Sequence, residues 1–141
     1  ATQESIFMKP EDRMSLSSLK GKNVILAFYP ADWSSGCTKE VCTFRDTFSE
    51  LSNLDATVLG ISGDYVFSHH EWAKHHNLPF TLLSDPTRTL GKQLGVYRED
   101  VGMFARSVFV VGPDGTFEYI DYDYSVKDQT DFNSLRTALK E

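Results

Sequence analysis

Cysteine is scarce in this chain: Cys37 and Cys42 are the only two among 141 residues. Two thiols cannot staple a disulfide scaffold, so the pair points to a reducing compartment or to thiol chemistry. Long apolar runs are missing too, and none nears the roughly 18 residues of a membrane-spanning helix. No signal-peptide pattern is visible from Ala1 onward, and the expected location is the cytoplasm. Basic residues are in deficit, 14 Lys and Arg against 20 Asp and Glu, for a net charge of −6. A surface of that sign repels phosphate backbones, so neither nucleic acid nor membrane is expected as a partner. No internal repeat, low-complexity tract or linker-like stretch interrupts the chain. What is present is material for a core: 37 of the 141 residues are Leu, Ile, Val or Phe. That exceeds the level of about 20% below which chains tend to stay disordered. The expectation is one domain over residues 1–141.

The run Val24-Ile25-Leu26-Ala27-Phe28-Tyr29 is continuously apolar and stops at Pro30, which predicts a strand buried on both faces. Residues 58–61 and 107–111 have the same character. The second of these runs into Gly112-Pro113-Asp114-Gly115, then the alternating stretch 116–120, which predicts a hairpin. Cys37, Val41, Phe44, Phe48 and Leu51 recur at spacings of 4, 3, 4 and 3, one apolar stripe on a helix. Further helices are predicted over 65–76, broken by Asn77 and Pro79, over 87–94, closed by Gly95, and around Phe132, Leu135 and Leu139. The order β-α-β-α-(β)-α-β-β-α implies an α/β fold with one central mixed sheet and helices on both faces.

The chemistry concentrates in residues 28–40, where a buried strand ends, a short loop follows, and Cys37 falls at the start of the next helical stripe. Sites in α/β sheets form beyond the carboxyl ends of strands. Unpaired N–H groups and the positive dipole end at a helix start favour a thiolate over a thiol. A small apolar residue packed at a helix start would occupy the same position, so location alone leaves both readings open.

The surrounding pattern resembles the peroxiredoxins, in particular their bacterioferritin-comigratory (PrxQ-like) branch. The family motif runs Pro-x-x-x-Thr/Ser-x-x-Cys, matched here by Pro30, Ser34 and Cys37, with Thr38 and Glu40 following. The likeness continues through Leu78–Asp85, Gly95–Tyr97 and Arg106–Val111, and covers roughly residues 15–125. It implies a thioredoxin fold and reduction of hydrogen peroxide and organic hydroperoxides by a cysteine thiol. No flavin, haem, metal or other cofactor is implied. Cys37 would be the peroxidatic cysteine, oxidised to a sulfenic acid. The Ser34 hydroxyl, the Arg106 guanidinium and helix-start N–H groups would stabilise the departing alkoxide. Glu40 would orient Arg106, and Pro30 would shield the thiolate from water. One position departs from the pattern: Ser35 stands where the family commonly has Pro.

Cys42 lies at the spacing where PrxQ-like proteins carry a resolving cysteine, and the resemblance implies an intramolecular Cys37–Cys42 disulfide. On a helix Cys42 would stand about 140° round from Cys37, on a flank shared with Arg45, Asp46 and Ser49. Five residues of helix separate Cα atoms by about 8.7 Å, beyond the roughly 4.4–6.8 Å of a disulfide, so that segment is expected to unwind in turnover. His69, His70, His75 and His76 lack zincin spacing and are expected on a solvated, polar helix face. Trp33 and Phe104 are candidates to line an apolar entrance, or to belong to the core or an interface. The expected partners are a hydroperoxide substrate and a thioredoxin-like reductant, with the chain a monomer or weak homodimer. Two alternatives are a general thiol–disulfide oxidoreductase, disfavoured by C-x-x-x-x-C in place of C-x-x-C, and a thioredoxin-like binding module with inert cysteines.

Overall fold

A computed structural model describes residues 2, 21, 23–34, 38, 42, 44, 45 and 56–122. The predicted C-terminal helix, together with Cys37, Glu40, Val41, Phe48 and Leu51, lies outside the described residues. Five strands make the main sheet: β1 Asn23–Phe28, β2 Ala56–Ser62, β3 Thr81–Ser84, β6 Ser107–Val111 and β7 Phe117–Asp121, in the order β3-β2-β1-β6-β7. Strands β1, β2 and β3 run parallel, whereas β6 is antiparallel to both β1 and β7. The sheet is therefore mixed. Strands β4 (Tyr97–Arg98) and β5 (Met103–Phe104) form a separate two-stranded ribbon. Helix α1 covers Val66–His76 and α2 covers Thr89–Gln93.

Strand β1 shows why its run is continuously apolar. Ile25, Ala27 and Tyr29 point into one core with Val58, Trp72, Ala73, Leu82 and Val110, while Val24, Leu26 and Phe28 point into a second with Ile61, Phe104 and Phe109. Alternate side chains meet different layers, and both layers are dry. Trp72 and Ala73 of α1 and Phe44 close the first face; Leu90 of α2 packs on the second. Helix α1 stops where expected: Asn77 adopts the left-handed conformation, and its N–H and that of Leu78 return to Lys74 and Ala73 carbonyls. The predicted hairpin also forms, with Val111 opposite Phe117 and a register shift between Val110 and Val111.

On the second face, Gly91 of α2 lies directly against the Phe104 ring, and a Cβ there would collide with three ring carbons. That ring is fully buried and packs edge-on to Phe28 at 5.4 Å. Phe104 is thus a core residue and lines no entrance, because the α2 backbone approaches closely enough to seal it. Gly91→Ala should cost about 1–3 kcal/mol through overpacking, despite alanine's better helix propensity. Urea unfolding checks this, with the midpoint moving down.

Candidate functional site

Strand β1 delivers the chain to the site, and the next residues anchor the loop. Tyr29 N–H extends the pairing to the Ile61 carbonyl at 3.1 Å, and its side chain is fully buried. Three residues on, the Asp32 carboxylate accepts the Tyr29 hydroxyl at 2.7 Å and lies 2.8 Å from His69 Nδ1 of α1. The Asp32 backbone N–H donates to Asp64 Oδ2 at 2.7 Å, and Ser62 Oγ, at the end of β2, donates to the same oxygen at 2.9 Å. On the other side of the imidazole, His69 Nε2 lies 3.1 Å from the Leu83 carbonyl. A carbonyl only accepts, so Nε2 is the donor on that side, and Nδ1 faces the Asp32 carboxyl group on the other. This network ties the loop to β2, β3 and α1 at once. Burial raises the Tyr29 pKa well above its ordinary value of 10.0, with the Asp32 charge adding to it, so the phenol remains a donor.

Held in this way, the loop supports an unusual backbone. Trp33 has φ 71°, a left-handed conformation costly for a bulky side chain, and its indole is about half exposed. Ser34 follows, exposed, with its hydroxyl donating to the Ala31 carbonyl at 3.2 Å. Its carbonyl accepts the Thr38 N–H at 2.9 Å, an i to i−4 bond that opens a helical segment. Thr38, Cys42, Phe44 and Arg45 have helical backbones.

Pro30 is half-buried at the mouth of this loop. Arg106 immediately precedes β6, and since Phe28 pairs with Ser107, it stands at the same end of the sheet as Tyr29 and the loop. Its Nε is buried. Arg106, far in sequence from Pro30 and Ser34, thus lies at the same carboxyl end of β1. Cys37 and Glu40, the other two predicted site residues of this segment, lie outside the described residues.

Cys42 is half-buried on the helical segment that follows the loop, and its Sγ lies 3.7 Å from His76 Nδ1 at the end of α1. Arg45, one turn further, donates from Nη1 to the His76 carbonyl at 2.8 Å. The flank of Cys42 and Arg45 thus faces the C-terminus of α1. The His76 pKa is lowered from 6.5, first by burial, then by the neighbouring His75 and Arg45.

The expectation of a solvated histidine face is corrected here. His75 is exposed, but His69 is completely buried and His76 is covered in part by Cys42 and the tryptophans. His69, Trp72 and Ala73 are the buried residues of α1, and Val66 and His76, each three residues beyond this group, are half-buried on the same face. That spacing was available in the sequence as a signal for both histidines. Asp32 and Asp64 had no such signal, because their roles depend on loop geometry.

Comparison with known proteins defines the class. Among solved structures, the alkyl-peroxide-reducing bacterioferritin comigratory protein of Xanthomonas campestris superposes with a TM-score of 0.83 at 27% identity, over 90% of this chain and 83% of that one. The peroxidoxin BcpB of Mycobacterium tuberculosis gives a TM-score of 0.78 at 32% identity, over 89% of this chain and 83% of that one. The mixed sheet and flanking helices are those of a thioredoxin-fold peroxiredoxin. The AhpC/TSA family model matches residues 7–120, and the chain belongs to that family. A curated relative, the chloroplastic peroxiredoxin Q of Triticum aestivum, is 45% identical over 108 residues, 76% of this chain and 50% of its own length. The chain spans about half the length of several curated relatives that it matches. Among the described residues, no helix is long and apolar enough to cross a membrane.

Proposed function

We propose that this chain is a thiol peroxidase in one thioredoxin-like domain, with Cys37 as peroxidatic and Cys42 as resolving cysteine. The observation that carries the reading is the position of Arg106, one residue before the Ser107 that pairs with Phe28, at the end of β1 that leads into Pro30 and Ser34. The Cys37 thiolate attacks the distal oxygen of a hydroperoxide. The S–O bond forms, the O–O bond breaks, and the alkoxide leaves with the electron pair and takes up a proton. The Arg106 guanidinium supplies a permanent charge for that leaving oxygen, and the Ser34 hydroxyl a second donor once it turns from Ala31. Glu40 orients Arg106, and Pro30 limits water. Cys42 then attacks the sulfenic sulfur, forming the disulfide and releasing water. A dithiol reductant of the thioredoxin type returns the two electrons. With both thiols on one chain the cycle needs no second subunit, which fits a monomer or weak homodimer. Its regeneration calls for a reducing compartment such as the cytoplasm.

Steady-state turnover tests this reading against a general oxidoreductase and an inert module. With thioredoxin and its reductase supplied, hydrogen peroxide or cumene hydroperoxide should drive rapid electron consumption. Faster turnover with oxidised glutathione than with peroxide would favour the oxidoreductase, and none with either would favour the inert module. Within the proposed mechanism, Arg106→Lys keeps the charge but loses the planar fork. It should raise the activation free energy of the peroxide step by about 2–4 kcal/mol, as loss of one preorganised oxyanion donor does. Stopped-flow oxidation of the reduced protein measures it, and a rate equal to wild type would make Arg106 structural.

A further inference from the structure

We propose that His76 is a catalytic residue of the resolving step, accepting the proton of the Cys42 thiol so that Cys42 attacks as a thiolate. This rests on the reading of Cys42 as the resolving cysteine. A nucleophile and its base must be within hydrogen-bond reach, and Cys42 Sγ and His76 Nδ1 are 3.7 Å apart, reasonable for a sulfur contact. The base is fixed in place. Arg45 grips the His76 carbonyl, the Trp72 ring meets the imidazole edge-on at 6.0 Å, and His75 does so at 4.7 Å. His76 closes helix α1, an element separate from the segment carrying Cys42.

The charges around the pair favour the transfer. Among the described residues, the titratable or charged groups facing the imidazole are His75 on its own helix and Cys42 and Arg45 on the opposing segment. Burial, with His75 and Arg45 adding to it, lowers the His76 pKa from 6.5, so the neutral, basic imidazole prevails near pH 7. Arg45 and Cys42, three residues apart on a helix, share a face, so the guanidinium that discourages an imidazolium also attracts a thiolate. An isolated thiol, with a pKa near 8.5, would be only a few per cent ionised at that pH. The step balances. The Cys42 proton moves to Nδ1, the sulfur pair forms the S–S bond as the Cys37 S–O bond breaks, and the departing hydroxide takes a proton to become water.

Two measurements test the pair. In a Cys37→Ser background, Cys42 is the sole cysteine, and its alkylation by iodoacetamide is followed against pH with and without His76→Asn, which keeps a polar atom near the Nδ1 position. Loss of the base should slow alkylation at pH 7 by at least about tenfold and move the midpoint of the pH profile upward, with the two rates converging at high pH. In the chain with both cysteines, the tryptophan-fluorescence phase for disulfide formation should slow by a similar factor relative to the peroxide phase. Superimposable alkylation profiles would overturn the proposal. His76→Gln repeats the comparison should the shorter side chain loosen the helix end. If peroxide turnover survives Cys37→Ser, the peroxidase reading fails, while alkylation still reports on the Cys42–His76 pair.

Discussion

Cys37→Ser should abolish peroxide turnover, lowering it by at least about a thousandfold, while the protein remains folded. Serine is nearly isosteric, but its hydroxyl stays protonated near pH 7 and is no ready nucleophile. Cys42→Ser should behave differently. The first oxidation would proceed at its normal rate, but the sulfenic acid would persist without its partner and be open to further oxidation. Rapid-mixing peroxide consumption followed by mass analysis separates the two variants. The Cys37 variant gains no oxygen, and the Cys42 variant gains one and then more. Normal turnover by Cys37→Ser with loss in Cys42→Ser would reverse the two roles.

The largest stability effect is expected at Asp32, a residue with no part in bond making. Its side chain is almost fully buried, between the Tyr29 hydroxyl and His69 Nδ1. Asp32→Ala leaves both groups inside the protein without this partner, and a buried polar group left unsatisfied costs about 1–3 kcal/mol each. Asp32→Asn should cost less than half as much, since its carbonyl still accepts from Tyr29 and its amide can donate to Nδ1 in the Nε2-protonated tautomer. Urea titration gives both values. Activity should fall in Asp32→Ala even under conditions where the protein stays folded, because the same side chain fixes the loop between Pro30 and Ser34. Equal stability of Asp32→Ala and wild type would mean that the network is not closed as described.

These two predictions also mark where sequence reasoning reached and where it stopped. Pro30, Ser34, Cys37 and Cys42 were nominated by the resemblance of their spacing to the peroxiredoxin motif, a local pattern that needs no tertiary contact to be read. Strand β1 and the β6–β7 hairpin were legible because burial on two faces and a Gly-Pro-Asp-Gly turn leave strong patterns. Strands β4 and β5, of two residues each, are too short to show any period. Predicted 87–94 shortens to Thr89–Gln93, with Arg88 in a left-handed conformation before it and Gly95, at φ 75°, after it. The Asp32–His69 contact joins positions 37 residues apart, and only the crossover that carries the chain from β1 to α1 makes them neighbours. Histidine also misleads by its average polarity. On α1 His69 is buried and His76 half-buried on the same face, where a carboxyl group and a thiol meet them.

The most direct measurement is a single turnover. Reduced protein is mixed with one equivalent of hydrogen peroxide, quenched with an alkylating agent, digested, and mapped by mass spectrometry. The account predicts loss of both thiols together, a mass lower by two hydrogens, and one peptide pair linked through Cys37 and Cys42 in monomeric protein. Two alkylated thiols after the peroxide is mixed in, or a disulfide that joins two chains, would contradict it.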